Sequence, residues 1–510
     1  MINLNKRICS FLFIVCICAT INSQTLTKSE IKNAAKEKFP SALLKLKSFL
    51  EIPNDGHFPK EIENNLNWCK NVFSALDFDV QKIATAGAPL LFAEKKVSKN
   101  AKTVLFYLQI DGQPVDVKSW SQKSPFSPVF KEKNNLSTWK IINYNPTIDV
   151  FNPDYRIFAR SASDSKGPAL SLISALEILK EKKIKQKFNI KIIMDFQEEM
   201  GSPQLANAVL NNKKLLQADM VLIMDGTRHL SNLPTLTYGA RGIAVATIKV
   251  FGARYPLHSG QYGNFAPNPV FSTAKLLAGL KDDDGKVTLP GFYDGIHLST
   301  KEKKLLNNIP ENLDSIKKRI GIAKHDALGE TYQEVLQYPS LNIRGLKAGW
   351  VGSKVRTIIP SEVITEIDMR LVPESDGKRL IGLLKKYITS TGFHLVDSIP
   401  SEEERSTYSK LASFKYRLGS NPFRTKLNGP ISLFLNSALQ KIYGKNIVNM
   451  RSTGGSQPIA PFVKTLGIPA VSIRIPNPDN NIHSPNENLR LGNFLEGIET
   501  CLAILNEKLK

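Results

Sequence analysis

Cysteine is scarce in this chain. Five occur in 510 residues, and Cys9, Cys16 and Cys18 all lie within the first eighteen positions. The remaining two, Cys69 and Cys501, are too few and too far apart for a disulfide framework or a thiolate metal site. They read as buried free thiols, with a single pairing in an oxidising compartment as the alternative. Beyond the first twenty residues there is no long apolar run, which excludes a stable helical membrane span in the rest of the chain. There is also no internal repeat and no low-complexity tract, so a solenoid is excluded. Aromatics interleaved with basic residues are missing too. The formal net charge is +22, but the lysines are scattered, as in KEKKIKQK at 180–187. The surplus therefore reads as a solvated surface, and nucleic acid is not an expected partner.

What is present begins with a leader. Lys6 and Arg7 precede an apolar run over 8–18, followed by small and polar residues. This is the pattern of a secretory signal peptide over 1–23, cleaved near residues 23 and 24. Neither Cys16 nor Cys18 follows the small residue that a lipidation signal needs. Export to a periplasm or to the medium is the expected localisation. Loss of Lys6 and Arg7 would leave a charge of +20 (22 − 2).

Helical spacing covers 27–50 and 58–76. TVLFYLQI (103–110), NIKIIMDF (189–196) and ADMVLIMD (218–225) read as buried strands, and ALSLISALEILKEK (169–182) as an amphipathic helix. Strands alternating with helices imply a mainly parallel sheet, with ligands at the strands' carboxyl ends. All three strands end in acid: Asp111, then Asp195 with Glu198 and Glu199, then Asp225. After Thr227 the texture changes. GIAVATIKVFG (242–252) and EVITEIDMRLV (362–372) alternate like half-buried strands. The α/β pattern resumes near 448, with a strand over 467–475 and a closing helix over 493–509. The expected fold class is α/β. A discontinuous catalytic domain (24–235 and 448–510), its mainly parallel sheet flanked by helices, would carry an inserted α+β lid or dimerisation domain (236–447).

Asp111, Asp164, Glu198, Glu199, Asp225 and His483 form a recurring acidic set with one imidazole. Any one of them alone is a solvated turn residue or a helix cap, Asp164 included. Together they are oxygen and imidazole donors of the kind that hold Zn²⁺, Mn²⁺ or Co²⁺. Adjacent Glu198 and Glu199 have diverging side chains, so one can bind a metal while the other stays free as a base.

The ordered stretches QIDGQPVD (109–116), ARSASDSKGPA (159–169), QEEMGS (197–202), MDGT (224–227), YGARGI (238–243), PLHSGQYGNFAPNP (256–269), IDMRLVPE (367–374), RSTGGSQP (451–458) and IHSPNE (482–487) resemble the M20 family of metallopeptidases. The dipeptidase and carnosinase branch is the most similar. The resemblance implies two divalent ions, Zn²⁺ first, with Mn²⁺ or Co²⁺ as alternatives. Asp164 would bridge them, Glu199 and His483 would complete one site, and Asp225 with residue 109 the other. Glu198 would be the general base and Asp111 would orient the ligand at 109. His258 would stabilise the oxyanion, in many relatives across a dimer. Arg370 and Thr357 would hold the substrate's carboxylate end, and Ser456 would contact substrate.

The family pattern has His-x-Asp where this chain has Gln109-Ile110-Asp111. A carboxamide oxygen can face a metal while its NH₂ donates to Asp111, but it is the weaker ligand. A tight first site and a loose second one are expected. His57 and His229 are the nearest substitute imidazoles in sequence. The expected function is an exported hydrolase that cleaves the amide bond of dipeptides or small peptides. The alternatives are an N-acyl-amino-acid deacylase and a non-catalytic binder of peptides or amino acids. A homodimer through the inserted domain is the expected assembly.

Overall fold

The computed structural model describes residues 25–134 and 138–509. The leader therefore lies outside the described residues. Among the described residues, no helix is long and apolar enough to cross a membrane.

Eight strands form the main sheet, in the order Asp79–Ile83, Leu90–Lys95, Asn189–Asp195, Thr103–Gln109, Met220–Ile223, Ala470–Arg474, Thr235–Thr237 and Val448–Met450. The four in the middle of this order, from Asn189–Asp195 to Ala470–Arg474, run parallel. Thr103–Gln109 and Asn189–Asp195 are almost wholly buried, as strands covered on both faces must be. One face carries Lys28–Leu50, Lys166–Glu181, Pro430–Tyr443 and Leu491–Asn506. The other carries Leu205–Asn211 and Ala460–Leu466. Lys28–Leu50 is started by a capping box between Thr27 and Glu30, which satisfies two otherwise unmet backbone donors. Lys166–Glu181 buries Leu170, Leu172, Ile173, Leu176, Ile178 and Leu179. Each contributes about 1.5–3 kcal/mol of apolar burial, and this fixes the loop in front of the helix, which holds Asp164.

The insert is built on a five-stranded sheet of order Ser340–Lys347, Glu362–Leu371, Gly242–Phe251, Leu411–Leu418, His394–Val396. Gly242–Phe251 alternates buried and half-buried along its length, so one face packs on Pro269–Ala278 and Gly377–Ser390. Pro430–Tyr443 falls inside 236–447, yet its apolar face belongs to the core of the main sheet. A small sheet of Asn488–Arg490, Arg156–Phe158, Val129–Lys133 and Trp139–Ile142 ties the loop at 160–165 to the segment that carries His483.

Candidate metal centre

Asp111 and Asp225 follow neighbouring parallel strands, so the sheet brings them to one edge. The loop from Ala159 to Ser165 is bound from below by Glu487, which is fully buried. One Glu487 oxygen accepts from Arg160 Nη1 (2.8 Å) and the Ser161 N–H (2.9 Å). The other accepts from the N–H groups of Ser163 (2.8 Å) and Asp164 (2.9 Å). This grip presents the Asp164 carboxylate to His483 Nε2 at 2.9 Å, and Glu199 Oε2 lies 3.3 Å from the same nitrogen.

Asp164, Glu199 and His483 each offer a donor atom, all within 4.8 Å of one another. Three protein donors of this kind suit a catalytic ion, because a fourth position stays open. The set fits one divalent cation. Gln113 Nε2 donates to Glu199 Oε2 at 2.7 Å and aims that carboxylate. Ser165 Oγ lies 2.9 Å from both Asp164 Oδ1 and Asp225 Oδ1, and Gln457 Nε2 donates to Asp225 Oδ2 at 2.9 Å. Asp164 is not a helix cap: Lys166–Glu181 begins after Ser165 and has no side-chain cap.

Burial and crowding raise three of the carboxyl groups when no cation is bound. Burial, then the Asp164 charge, pushes Glu199 up to about 9. Burial, then Asp225, Asp164 and Glu199, drives Glu198 well above the ordinary carboxylate range. Burial, then Asp195, raises Asp111 to about 8. The hydrogen bond to Asp164 raises the His483 imidazole to about 9. Burial pushes Asp164 up as well, but the His483 contact and the Ser165 and Asp225 hydrogen bonds together hold it below its usual value.

The position of Gln109 departs from expectation. It is 2% exposed, and neither its Oε1 nor its Nε2 has a hydrogen-bond partner. Asp111 does not receive the amide; its two oxygens accept the N–H groups of Glu198 (3.0 Å) and Glu199 (2.9 Å) instead. No other imidazole stands in for a ligand there. His229 is buried between Ser231 Oγ (2.9 Å) and Glu311 Oε1 (3.2 Å), and His57 pairs with Asp55 at the surface. Asp195 is also spent elsewhere, accepting from the Tyr107 hydroxyl at 2.9 Å.

The remaining expected residues fall into two groups. Arg370 Nη1 donates to Ser456 Oγ at 3.1 Å. Arg370 lines a cavity of about 730 Å³ together with Arg241, Tyr332 and Gly455. His258 pairs with Ile358 in a short ladder of the insert, where the Thr357 carbonyl accepts from the Ser259 N–H at 3.2 Å and His258 Nδ1 accepts from the Gly260 N–H at 3.1 Å. Neither His258 nor Thr357 touches the carboxylate cluster. Ser165, Gln113, Gln457 and Arg474 are participants that reasoning from the sequence missed. Ser165, Gln113 and Gln457 lie within the quoted motifs, next to named residues, which was the available signal.

A cluster of largely buried carboxylates with a half-exposed imidazole, at the carboxyl edge of a mainly parallel sheet joined to an inserted α+β unit, defines a metal-dependent hydrolase. The signature of peptidase family M20/M25/M40 matches residues 106–507, and the chain belongs to that family. The Cys-Gly metallodipeptidase of Schizosaccharomyces pombe is 27% identical over 425 residues, 82% of each chain. The Beta-Ala-His dipeptidase of Mus musculus is 27% identical over 425 residues, 82% of this chain and 80% of its own. In structure, an M20 family metallo-carboxypeptidase from Sulfolobus solfataricus superposes with a TM-score of 0.74 at 26% identity, covering 91% of this chain and 98% of that one.

Proposed function

We propose that the chain hydrolyses the amide bond of dipeptides or similarly small peptides, with Glu198 as general base. The observation that carries this is the convergence of Asp164, Glu199 and His483 within 4.8 Å beside a glutamate left free. A divalent ion held there by Asp164, Glu199 and His483 would lower the pKa of water toward neutrality and polarise a carbonyl. Glu198 makes no side-chain hydrogen bond to any described residue. Its carboxylate takes a proton from the attacking water and delivers it to the amine nitrogen as the C–N bond breaks. Arg370, steadied by Ser456, offers a guanidinium to the substrate's carboxylate. Relatives named for Cys-Gly and Beta-Ala-His dipeptides favour this substrate size. The test is turnover of a dipeptide panel with Zn²⁺, Mn²⁺ or Co²⁺, with Glu198→Ala as control. Metal-loaded protein that cleaves neither dipeptides nor N-acyl amino acids would favour the second reading, a peptide-binding relative, for which Gln109 is the supporting observation.

We place the protein outside the cytoplasm on the strength of the leader. Mass spectrometry of the exported chain should then find its amino terminus near residue 24, and an intact leader on exported protein would refute processing. A homodimer through the insert, carrying His258 toward a partner's site, is part of the same proposal and is checked by light scattering.

A further inference from the structure

The second cation position expected from the family resemblance would be made by Gln109, Asp164 and Asp225. A cationic side chain approaches the same edge of the sheet. Ala470–Arg474 runs parallel to Met220–Ile223, which runs parallel to Thr103–Gln109, with Tyr107 opposite Ile223 and Ile223 opposite Ser472. Two residues further along each chain come Gln109, Asp225 and Arg474, side by side at the carboxyl edge. Arg474 is 7% exposed. Its Nε donates to Thr237 Oγ1 at 3.2 Å, and its Nη2 is buried with no hydrogen-bond partner. Its charge acts on Asp225 and on Asp164. The guanidinium lies so close over Gly226 that a Cβ there would sit 1.2 Å from Nη1. Gly226, at φ +91°, thus makes room for it.

We propose that the Arg474 guanidinium replaces the second dication, so that this centre is built for one metal ion, held by Asp164, Glu199 and His483. Three observations agree. The ligand at 109 is a neutral amide with no partner to orient it. The Arg474 charge is near enough to act on Asp225 and Asp164, though it forms an ion pair with neither, and in a poorly solvated site it would repel a second ion. Formal charge also balances: a dication and a guanidinium match the carboxylates of Asp164, Glu199 and Asp225, which leaves Glu198 free to gain and lose a proton.

The inference rests on the metal-binding part of the proposed function. Its test counts ions and not turnover, so failure to cleave dipeptides leaves it standing or falling on its own. Full-length protein would be loaded with excess Zn²⁺, desalted and measured by elemental analysis. Electron paramagnetic resonance would be recorded with two equivalents of Mn²⁺. One ion per chain and the spectrum of an isolated Mn²⁺ are expected, with any second ion bound at least about 100-fold more weakly. Gln109→His alone should still bind one ion, because Arg474 remains. Gln109→His combined with Arg474→Leu should bind two and show an exchange-coupled signal. Two ions bound within tenfold affinity by the unaltered protein would overturn the proposal, and so would a second ion gained by Gln109→His alone. Both decisive measurements keep Arg474, so they hold even if its replacement prevents folding.

Discussion

Glu487→Gln tests the scaffold under the metal centre. The substitution keeps the shape of the side chain and removes its charge. Four donors converge on the Glu487 carboxylate, two on each oxygen. The amide keeps one oxygen and so serves one pair, while its NH₂ faces the other pair of donors. Two buried donors then go unmet, at about 1–3 kcal/mol each. If Arg160 is among them, a buried ion pair is also broken, for which about 3–5 kcal/mol is typical. Burial already raises the Glu487 carboxyl, so removing its charge returns part of that cost and favours the low end, about 3 kcal/mol. The loosened Asp164 backbone should also weaken metal binding about 10–100-fold. Urea unfolding of the metal-free protein, followed by circular dichroism, gives the first quantity, and titration calorimetry the second. A variant within about 1 kcal/mol of the parent with unchanged metal affinity would refute the role given to Glu487.

Glu198→Gln should lower turnover by about 10²–10⁴-fold with metal content unchanged; loss of the ion as well would make Glu198 a ligand and not the base. Metal loading near pH 7 should release protons, because Glu199 and His483, each raised to about 9 without a cation, must shed theirs to become ligands. Apparent affinity should therefore rise with pH up to about 9; calorimetry in buffers of different ionisation heat measures this, and a proton count of zero would contradict it. His483→Ala should abolish tight binding of the ion while the protein stays folded, since the imidazole is half-exposed and its loss leaves no apolar cavity; elemental analysis and a melting curve check both halves.

The parallel strands were legible because TVLFYLQ, NIKIIMD and MVLI are continuous apolar runs ending in acid. Their observed bounds differ from expectation by a residue or two at the ends. Asp164, Glu199 and His483, which the structure brings together, were legible as candidates because their motifs are short and local. The small sheet that contains Arg156–Phe158 and Asn488–Arg490 was not, since strands of three residues carry too little periodicity to show. Pro430–Tyr443 was assigned with the insert by its place in the chain, although its packing partner is Leu491–Asn506. Arg474 was hidden for a different reason. It sits in VSIRI, where one arginine in an apolar strand reads as a solvated edge, and only the register across three strands brings it to Asp225. The amide of Gln109 is expected from sequence to find Asp111, yet it stays unpartnered while that carboxylate accepts backbone N–H groups from a different loop.

The centre draws on both ends of the chain: Asp164 and Glu199 come early, and His483 and Glu487 come shortly before a terminal helix whose Asn506 is hydrogen-bonded to Leu26. A translation product that stops short of residue 483 would lack the imidazole, the brace beneath Asp164 and the helix that seals the sheet. Such partial chains should therefore be inert and readily degraded, because the ion's imidazole, its supporting carboxylate and the sealing helix are lost together.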